Sequence, residues 1–325
     1  MALGEVWSRI RAVRLVPFLG AVLLATITFP LRTVRWRYLL QLEGVTLPFV
    51  PLWHATAIGF MGNNLLPARA GEVARMYAAS KLTSVKFAAA LGSIAVERVL
   101  DGLTLVALLV VAILAGGFTP QVSIAGMTVA PAGVARVGAA VFMLVLIGCL
   151  TFVYAPRPFL GLARWMTGRL LPTSWGRRLM EFLDAVLAGL DVLKSPGRLV
   201  RSLFWSLVVW SVMGASFWMG LVAFDVDASW STALMLETLI AFGVAIPSTP
   251  GFFGPFEAAT RVSFALYGLD ETSAASFAVG YHIATFIPIT LLGIWSLGRA
   301  SLALGDLRAD VKRPERAGAG RSEGA

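Results

Sequence analysis

GNNLLPARAGEVAR, Gly62–Arg75, is the stretch whose setting decides the fold. Apolar segments flank it, yet Arg69, Glu72 and Arg75 stand within seven residues, around Gly71 and just after Asn63, Asn64 and Pro67. Charges at that density beside a bilayer are costly unless they pair or take part in function. A related stretch comes late in the chain. IPSTPGFFGPFEAATR, Ile246–Arg261, breaks an apolar run with Pro247, Pro250, Gly251 and Gly254, then supplies Glu257 and Arg261 one turn apart.

The background to both stretches is oily. Of 325 residues, 58% are hydrophobic and 14% charged, where a soluble domain has about 45–50% and about 25%. Several runs reach the roughly 20 apolar residues that a helix needs to cross about 30 Å of hydrocarbon. This is the composition of an integral membrane protein. The net charge of +9 reads as cationic loops on the cytoplasmic side and attraction to anionic lipid. No recognition motif accompanies the cations, so no nucleic-acid partner is expected.

Other chemistries find little support. A single cysteine, Cys149, excludes an internal disulfide, and His54 and His282 stand far apart without companions at metal spacing. No metal and no other cofactor is expected. Walker A, Rossmann and G-x-S-x-G patterns are absent, which removes nucleotide-driven transport and serine hydrolysis.

Taken in order, residues 1–14 form a basic amphipathic lead. It imitates the start of a signal peptide, but no small-residue cleavage site follows, and Leu15–Leu31 is read as the first span. Arg32, Arg35 and Arg37 then crowd one helical end with Trp36 and Tyr38, as interface anchors or as a headgroup-binding group. Phe49–Leu66 either crosses or re-enters. Leu91–Ala115, Val134–Val153, Leu199–Phe224 and Ala274–Leu297 read as spans, and Trp230–Tyr267 as a helix pair broken near Ser248. Gly116–Gly133 is a charge-free loop. Residues 155–201 are a basic connector on the cytoplasmic interface, with an amphipathic helix over 179–190, and 301–325 a polar, disordered tail.

The expected fold is therefore all-α: a polytopic transmembrane bundle over residues 1–300 with about six to eight membrane segments. Its two Pro/Gly-broken helix pairs, crossing or re-entrant, make a weak internal repeat of the kind that brackets a midplane binding site. Counting cations places both termini in the cytoplasm of a multi-pass protein of the cell (inner) membrane. Only Arg32–Arg37 violates that count.

The charged motifs carry the chemistry. A helix starting near Ala68 would put Arg69, Glu72 and Arg75 in one ladder, the carboxylate bridging both guanidiniums, with Pro67 in the first turn and the asparagines capping or kinking. Free N–H groups and a positive dipole end at bilayer depth favour an anion, and a lipid phosphate is the obvious one. The alternative is an ion-paired kink that only locks helix packing. In AVERVLDGL, Glu97 and Asp101 share a helical face and Arg98 can bridge to Asp101. These three read as a proton relay or as a gate beneath the site, and a magnesium–phosphate site is conceivable there. Glu237 and His282 join them as relay candidates, although His282, among Tyr281, Ile283 and Phe286, reads first as a packed, hydrogen-bonded residue. The sharpest geometric expectation is that Glu72 and Glu257 approach the same interior cleft from opposite walls.

RTVRWRYLL, GNNLLPARAGEVARMY, ERVLDGL and TPGFFGPFEA, in that order, resemble the motifs of the lysylphosphatidylglycerol synthase transmembrane family, also described as flippase-like membrane proteins. The likeness covers roughly residues 10–300, and four motifs in one order make it specific. It includes proteins that move aminoacylated phosphatidylglycerol between leaflets, and stand-alone members linked to hopanoid, polyprenyl or glycolipid traffic. The resemblance implies lipid translocation or a supporting role in it, with Arg69, Glu72, Glu97, Arg98, Asp101 and Glu257 at motif positions. The chain ends about 25 residues after its last span, so no aminoacyl-transferase domain is expected.

Together these readings favour a transporter over an enzyme. Asn63, Asn64, Arg69, Glu72, Arg75, Glu257 and Arg261 would hold a polar or anionic lipid headgroup, an anionic phospholipid or a polyprenyl or glycolipid. The alternative is a membrane enzyme, or a scaffold for a biosynthetic enzyme partner, in polyprenyl-, glyco- or phospholipid synthesis.

Overall fold

The apolar runs fold as helices whose lengths fall into two classes. A computed structural model describes residues 3–40, 47–117, 155–170, 196–245 and 249–300, the strand pair 122–124 and 127–129, and scattered positions between 133 and 183. The helices are α1 (Leu3–Arg11), α2 (Leu15–Leu39), α3 (Phe49–Leu65), α4 (Ala70–Leu82), α5 (Phe87–Ala115), α6 (Pro156–Leu170), α7 (Pro196–Ala223), α8 (Trp230–Gly243), α9 (Pro255–Leu266) and α10 (Glu271–Arg299). A small antiparallel hairpin, β1 (Val122–Ile124) with β2 (Met127–Val129), lies in the charge-free loop. Most of the expected span Val134–Val153, most of the amphipathic segment 179–190, Pro247, Ser248 and the tail 301–325 lie outside the described residues.

The protein is an all-α helical membrane protein. Four helices are long and apolar enough to cross a bilayer: Leu15–Leu39, Phe87–Ala115, Gly197–Ala223 and Glu271–Arg299. By contrast α3, α4, α8 and α9 are about 26, 20, 21 and 18 Å long at 1.5 Å per residue, short of the roughly 30 Å hydrocarbon core. The polarity of the bundle suits lipid. On α10, Val279, Ile283, Ile287, Leu291 and Ile294 follow helical spacing and are exposed, as are Leu15, Leu19, Leu23 and Ile27 on α2. Buried positions instead include Arg32, Arg35, Arg75, Glu97, Asp101 and Glu237. Apolar stripes outside and charges inside are what a hydrocarbon solvent selects.

Long and short helices alternate in a fixed order. From α2 to α5 the order is long, short, short, long, and from α7 to α10 it is the same. Packing follows that order. α2 lies against α7, α3 against α10 and α5 against α8, while α3 with α4 and α8 with α9 form hairpins. The first hairpin closes on glycine. A Cβ on Gly71 would stand 1.9 Å from the Gly59 carbonyl oxygen and 2.3 Å from the Asn63 nitrogen, so the two backbones touch there.

Both hairpins turn through left-handed backbone. Ala68 and Arg69 each have φ 56°, a conformation that costs an ordinary side chain about 1–2 kcal/mol. The second turn uses Gly251 (φ 66°), Phe252 (φ 60°) and Gly254 (φ 100°). Arg69 and Gly254 are the residues immediately before α4 and α9. Glu72 and Glu257 are therefore both the third residue of their helices.

The start of α4 departs from the sequence reading. The helix begins at Ala70 rather than near Ala68, and Pro67 sits ahead of it, its carbonyl accepting from the Ala70 N–H at 3.2 Å. Left-handed φ at Ala68 and Arg69 ends the helical path that a ladder through Arg69 would need.

Candidate functional site

Five arginines and three carboxylates meet where α2, α4 and α5 converge. Arg35, with no exposed side-chain surface, reaches Glu97 at 3.2 Å and Asp101 at 2.5 Å, and donates to Ser206 on α7 at 2.9 Å. Arg75 lies 3.1 Å from Glu97 and stacks over Trp36, its guanidinium carbon 3.8 Å from the ring centre. Arg98 spans Glu97 at 2.8 Å, Asp101 at 3.4 Å and Glu72 at 3.9 Å. Arg69 pairs with Glu72 at 3.6 Å. Arg32 stands 4.0 Å from Asp101, over the rings of Trp210 and Phe60. Trp210 on α7 donates its indole N–H to Asp101 at 2.8 Å.

The count leaves two guanidiniums without a matching carboxylate. Several guanidinium nitrogens of the cluster also lack hydrogen-bond partners among the described residues, including Nε and Nη2 of Arg75, Nε of Arg98 and Nε of Arg69. Buried donors left unmade are expensive. These three side chains line a cavity of about 320 Å³ together with Arg32, Asn63, Glu72 and Asp101. The arrangement is a cationic, donor-rich chamber of the kind that receives an oxyanion.

A second cavity of about 210 Å³ adjoins it and has a different character. Phe29, Phe217, Phe256, Tyr281 and Phe286 give it an aromatic wall, with Arg32, Asn64, Glu237, His282 and Thr285 as polar exceptions. Arg32, Trp210, Ala241, Val244 and Phe252 line both chambers. A charged compartment thus opens beside an aromatic one, with a shared partition.

The network redistributes the residues read from the sequence. Arg69 and Glu72 pair as expected, and Arg98 bridges to Asp101. Arg75, however, leaves Glu72 for Glu97, and Arg98 takes its place beside Glu72. The cause is the packing of α4 on α5 and Trp36, which turns Arg75 inward. Asn63 lines the charged chamber, while Asn64 lines the aromatic one and donates to Thr290 on α10 at 2.8 Å. Gly71 lines the charged chamber and Gly251 the aromatic one, whereas Pro250 and Gly254 stay in the turn before α9.

The two motif regions meet, but not through their carboxylates. Phe252 packs under Arg69, with the guanidinium carbon 5.9 Å from the ring centre. Glu72 lines the charged chamber. Glu257 stands behind His282, bonded to its Nδ1 at 2.8 Å and accepting the Gly254 N–H at 2.6 Å. His282 is packed as anticipated, its Nε2 2.9 Å from the Gly251 carbonyl oxygen. Arg261 is not brought to either chamber: its side chain is 58% exposed and pairs with Glu271.

Sequence reasoning left Arg32, Arg35 and Trp36 between interface anchors and a headgroup-binding group, and it missed Trp210, Ser206 and Phe252. Among the described residues, no group of three or more His, Cys, Asp or Glu is placed to hold a metal. Glu97 and Asp101 are occupied by guanidiniums instead.

A model of the lysylphosphatidylglycerol synthase TM region matches residues 1–293. The chain belongs to that family. In this chain, the four stretches quoted above contribute to the buried network and to its two helix breaks. The chain is also similar to the glycosyltransferase AglD of Haloferax volcanii, 25% identical over 296 residues. That match takes in 84% of this chain and 47% of AglD, so the chain spans about half the length of the curated relative it matches.

Proposed function

We propose that this protein is a lipid transporter of flippase-like type, which binds a phosphate-bearing or otherwise anionic headgroup in the arginine-lined chamber and moves the lipid between leaflets. One observation carries the reading: a chamber with surplus buried guanidinium donors opens directly beside an aromatic chamber. That pairing matches an amphiphile, with the headgroup on Arg69, Arg75 and Arg98 and the start of the hydrocarbon chain among Phe217, Phe256 and Phe286. Hydrogen bonds to charged groups contribute about 1.5–3 kcal/mol each, which is the scale needed to draw an anion from a hydrated interface.

The helix order supports a mechanism. The two halves, α2–α5 and α7–α10, are read as an internal repeat whose short helix pairs are half-membrane hairpins meeting at the site. Exchange of the halves maps α3 on α10 onto α8 on α5, and both packings occur. Rocking of one half against the other would expose the chambers to alternate leaflets. The connector, the tail and both termini lie in the cytoplasm in this reading.

The test is twofold. Lipid retained by the purified protein is identified by mass spectrometry, and leaflet-specific labelling is compared in cells with and without the protein. Enrichment of one anionic lipid class and its altered leaflet distribution are the expected results. Unchanged asymmetry across every major class, with no lipid retained, overturns the proposal.

A second reading draws on the likeness to a glycosyltransferase. In it, the chambers present a lipid-linked substrate to a biosynthetic enzyme, in this chain or in a partner. Chemical conversion of the retained lipid, without change of leaflet, distinguishes it.

A further inference from the structure

Glu237 is the exception in a protein that pairs its buried charges. It sits on α8, 1% exposed, and neither carboxyl oxygen has a hydrogen-bond partner among the described residues. Glu97 and Asp101, equally deep, are each held by two or more arginines. Glu237 instead lines the aromatic chamber. An ionised carboxylate in such a place requires a partner, and a neutral acid does not.

Every element around that chamber can be searched for the partner. From α2 comes Arg32. From α10 come Tyr281, whose hydroxyl is engaged with Ser216 at 2.6 Å, and His282, whose two nitrogens are engaged with Glu257 of α9 and the Gly251 carbonyl. α7 presents Trp210, Met213 and Phe217, none of them charged. Asp101 and Arg98 of α5 lie on the far side of Trp210, in the other chamber. Arg32 is therefore the described cation that faces Glu237, and it faces both chambers. Its ion pair among the described residues, to Asp101, is long at 4.0 Å.

We propose that Glu237 is a proton-binding site linked through Arg32 to anion binding in the arginine-lined chamber. With no anion in that chamber, Arg32 is held only by its long contact to Asp101 and can turn to Glu237 across the cavity they both line when that carboxyl ionises. An oxyanion entering beside Arg69, Arg75 and Arg98 draws Arg32 toward itself and Asp101, and Glu237 takes up a proton from water to remain neutral. The balance is one proton gained per monovalent anion bound, and no bond other than O–H is made. The role differs from a relay through Glu97 and Asp101, whose carboxyl groups are each engaged by several guanidiniums. The linkage rests on the anion-binding reading above; the proton site itself does not.

Two measurements separate the two ideas. Infrared difference spectra of the full-length protein, recorded without added lipid as pH is stepped, should show a carboxylic-acid C=O band that is lost in E237Q. Binding of phosphatidylglycerol in mixed micelles, a phosphodiester that does not itself titrate near neutrality, is then followed by calorimetry in two buffers of different ionisation enthalpy. The wild type should take up about one proton per lipid, with affinity rising by up to about tenfold for each pH unit lowered. In E237Q, which mimics the neutral acid, uptake and pH dependence should both vanish while binding persists. E237D, which keeps the ionisable group, should retain both.

Equal proton uptake in the wild type and E237Q, or an infrared difference untouched by E237Q, overturns the proposal. If phosphatidylglycerol fails to bind the wild type at any pH, the anion-binding reading falls and takes the linkage with it. The infrared result then decides whether Glu237 binds a proton.

Discussion

Arg35 on α2 and Asp101 on α5 meet at 2.5 Å with both side chains sealed from solvent. The contact ties the first long helix to the second across 66 residues of sequence. It is reinforced by Glu97 and Ser206, so one guanidinium fastens three long helices together.

Removing that guanidinium leaves two buried carboxylates with too few partners. Arg35→Ala is expected to lower stability by about 3–5 kcal/mol, read as a fall in the thermal unfolding midpoint in detergent. Arg35→Lys, a point charge that cannot fork between Glu97 and Asp101, should recover only part of the loss.

Arg69 sits at the rim of the charged chamber, where its loss is tolerable to the fold. Arg69→Gln is expected to weaken retention of anionic lipid by about tenfold or more, since one charged hydrogen bond contributes about 1.5–3 kcal/mol. Unfolding should shift little, because the Arg69–Glu72 pair is partly exposed. Native mass spectrometry of retained lipid provides the measurement.

Arg261 gives the matching negative control. Its pair with Glu271 is exposed on both sides, and such pairs contribute about 0–1 kcal/mol. Arg261→Ala should leave lipid retention and unfolding within error of the wild type. Loss of lipid in this variant would relocate the site.

Gly71 should tolerate no side chain. Gly71→Ala places a methyl group 1.9 Å from the Gly59 carbonyl oxygen, in backbone that cannot rotate away. Forced overpacking costs about 1–3 kcal/mol or more. Lower yield of folded protein, with proteolysis opening between α3 and α4, is the expected outcome.

Asp270 governs an acid-sensitive cap outside the spans. Its carboxylate accepts the Ser273 N–H at 2.9 Å and lies 3.2 Å from Arg9, and these contacts, the backbone bond first, hold its pKa below the usual aspartate value. A depressed folded-state pKa means that the stabilisation is present above the unfolded value and fades as pH falls through the folded one. Asp270→Asn should therefore flatten the acid limb of unfolding while largely keeping the cap, since asparagine caps a helix about as well as aspartate.

The sequence made the membrane class and the interest of Glu72, Glu97, Arg98 and Asp101 legible, because charges inside apolar runs stand out. Arg32 and Arg35 did not stand out. Cations at the end of a span look like interface anchors, and only contacts with α5 and α7, 66 and 171 residues onward, draw Arg35 inward. Arg75 was visible but misdirected, as helical spacing offers Glu72 while tertiary packing offers Glu97 and Trp36. The signal for Trp210 lay in its own span, where Ser202, Ser206 and Trp210 recur every four residues and all prove buried. Periodicity marks that face as interior without naming what it meets.

Trp210 borders both chambers and is pinned to Asp101 by its indole N–H. Two rooms with a common wall cannot be resized independently: a swing of the indole that enlarges one must shrink the other. The hydrogen bond to Asp101 is the latch on that wall, so an anion that competes with Asp101 for the indole N–H on one side also alters the shape offered to its own remainder on the other.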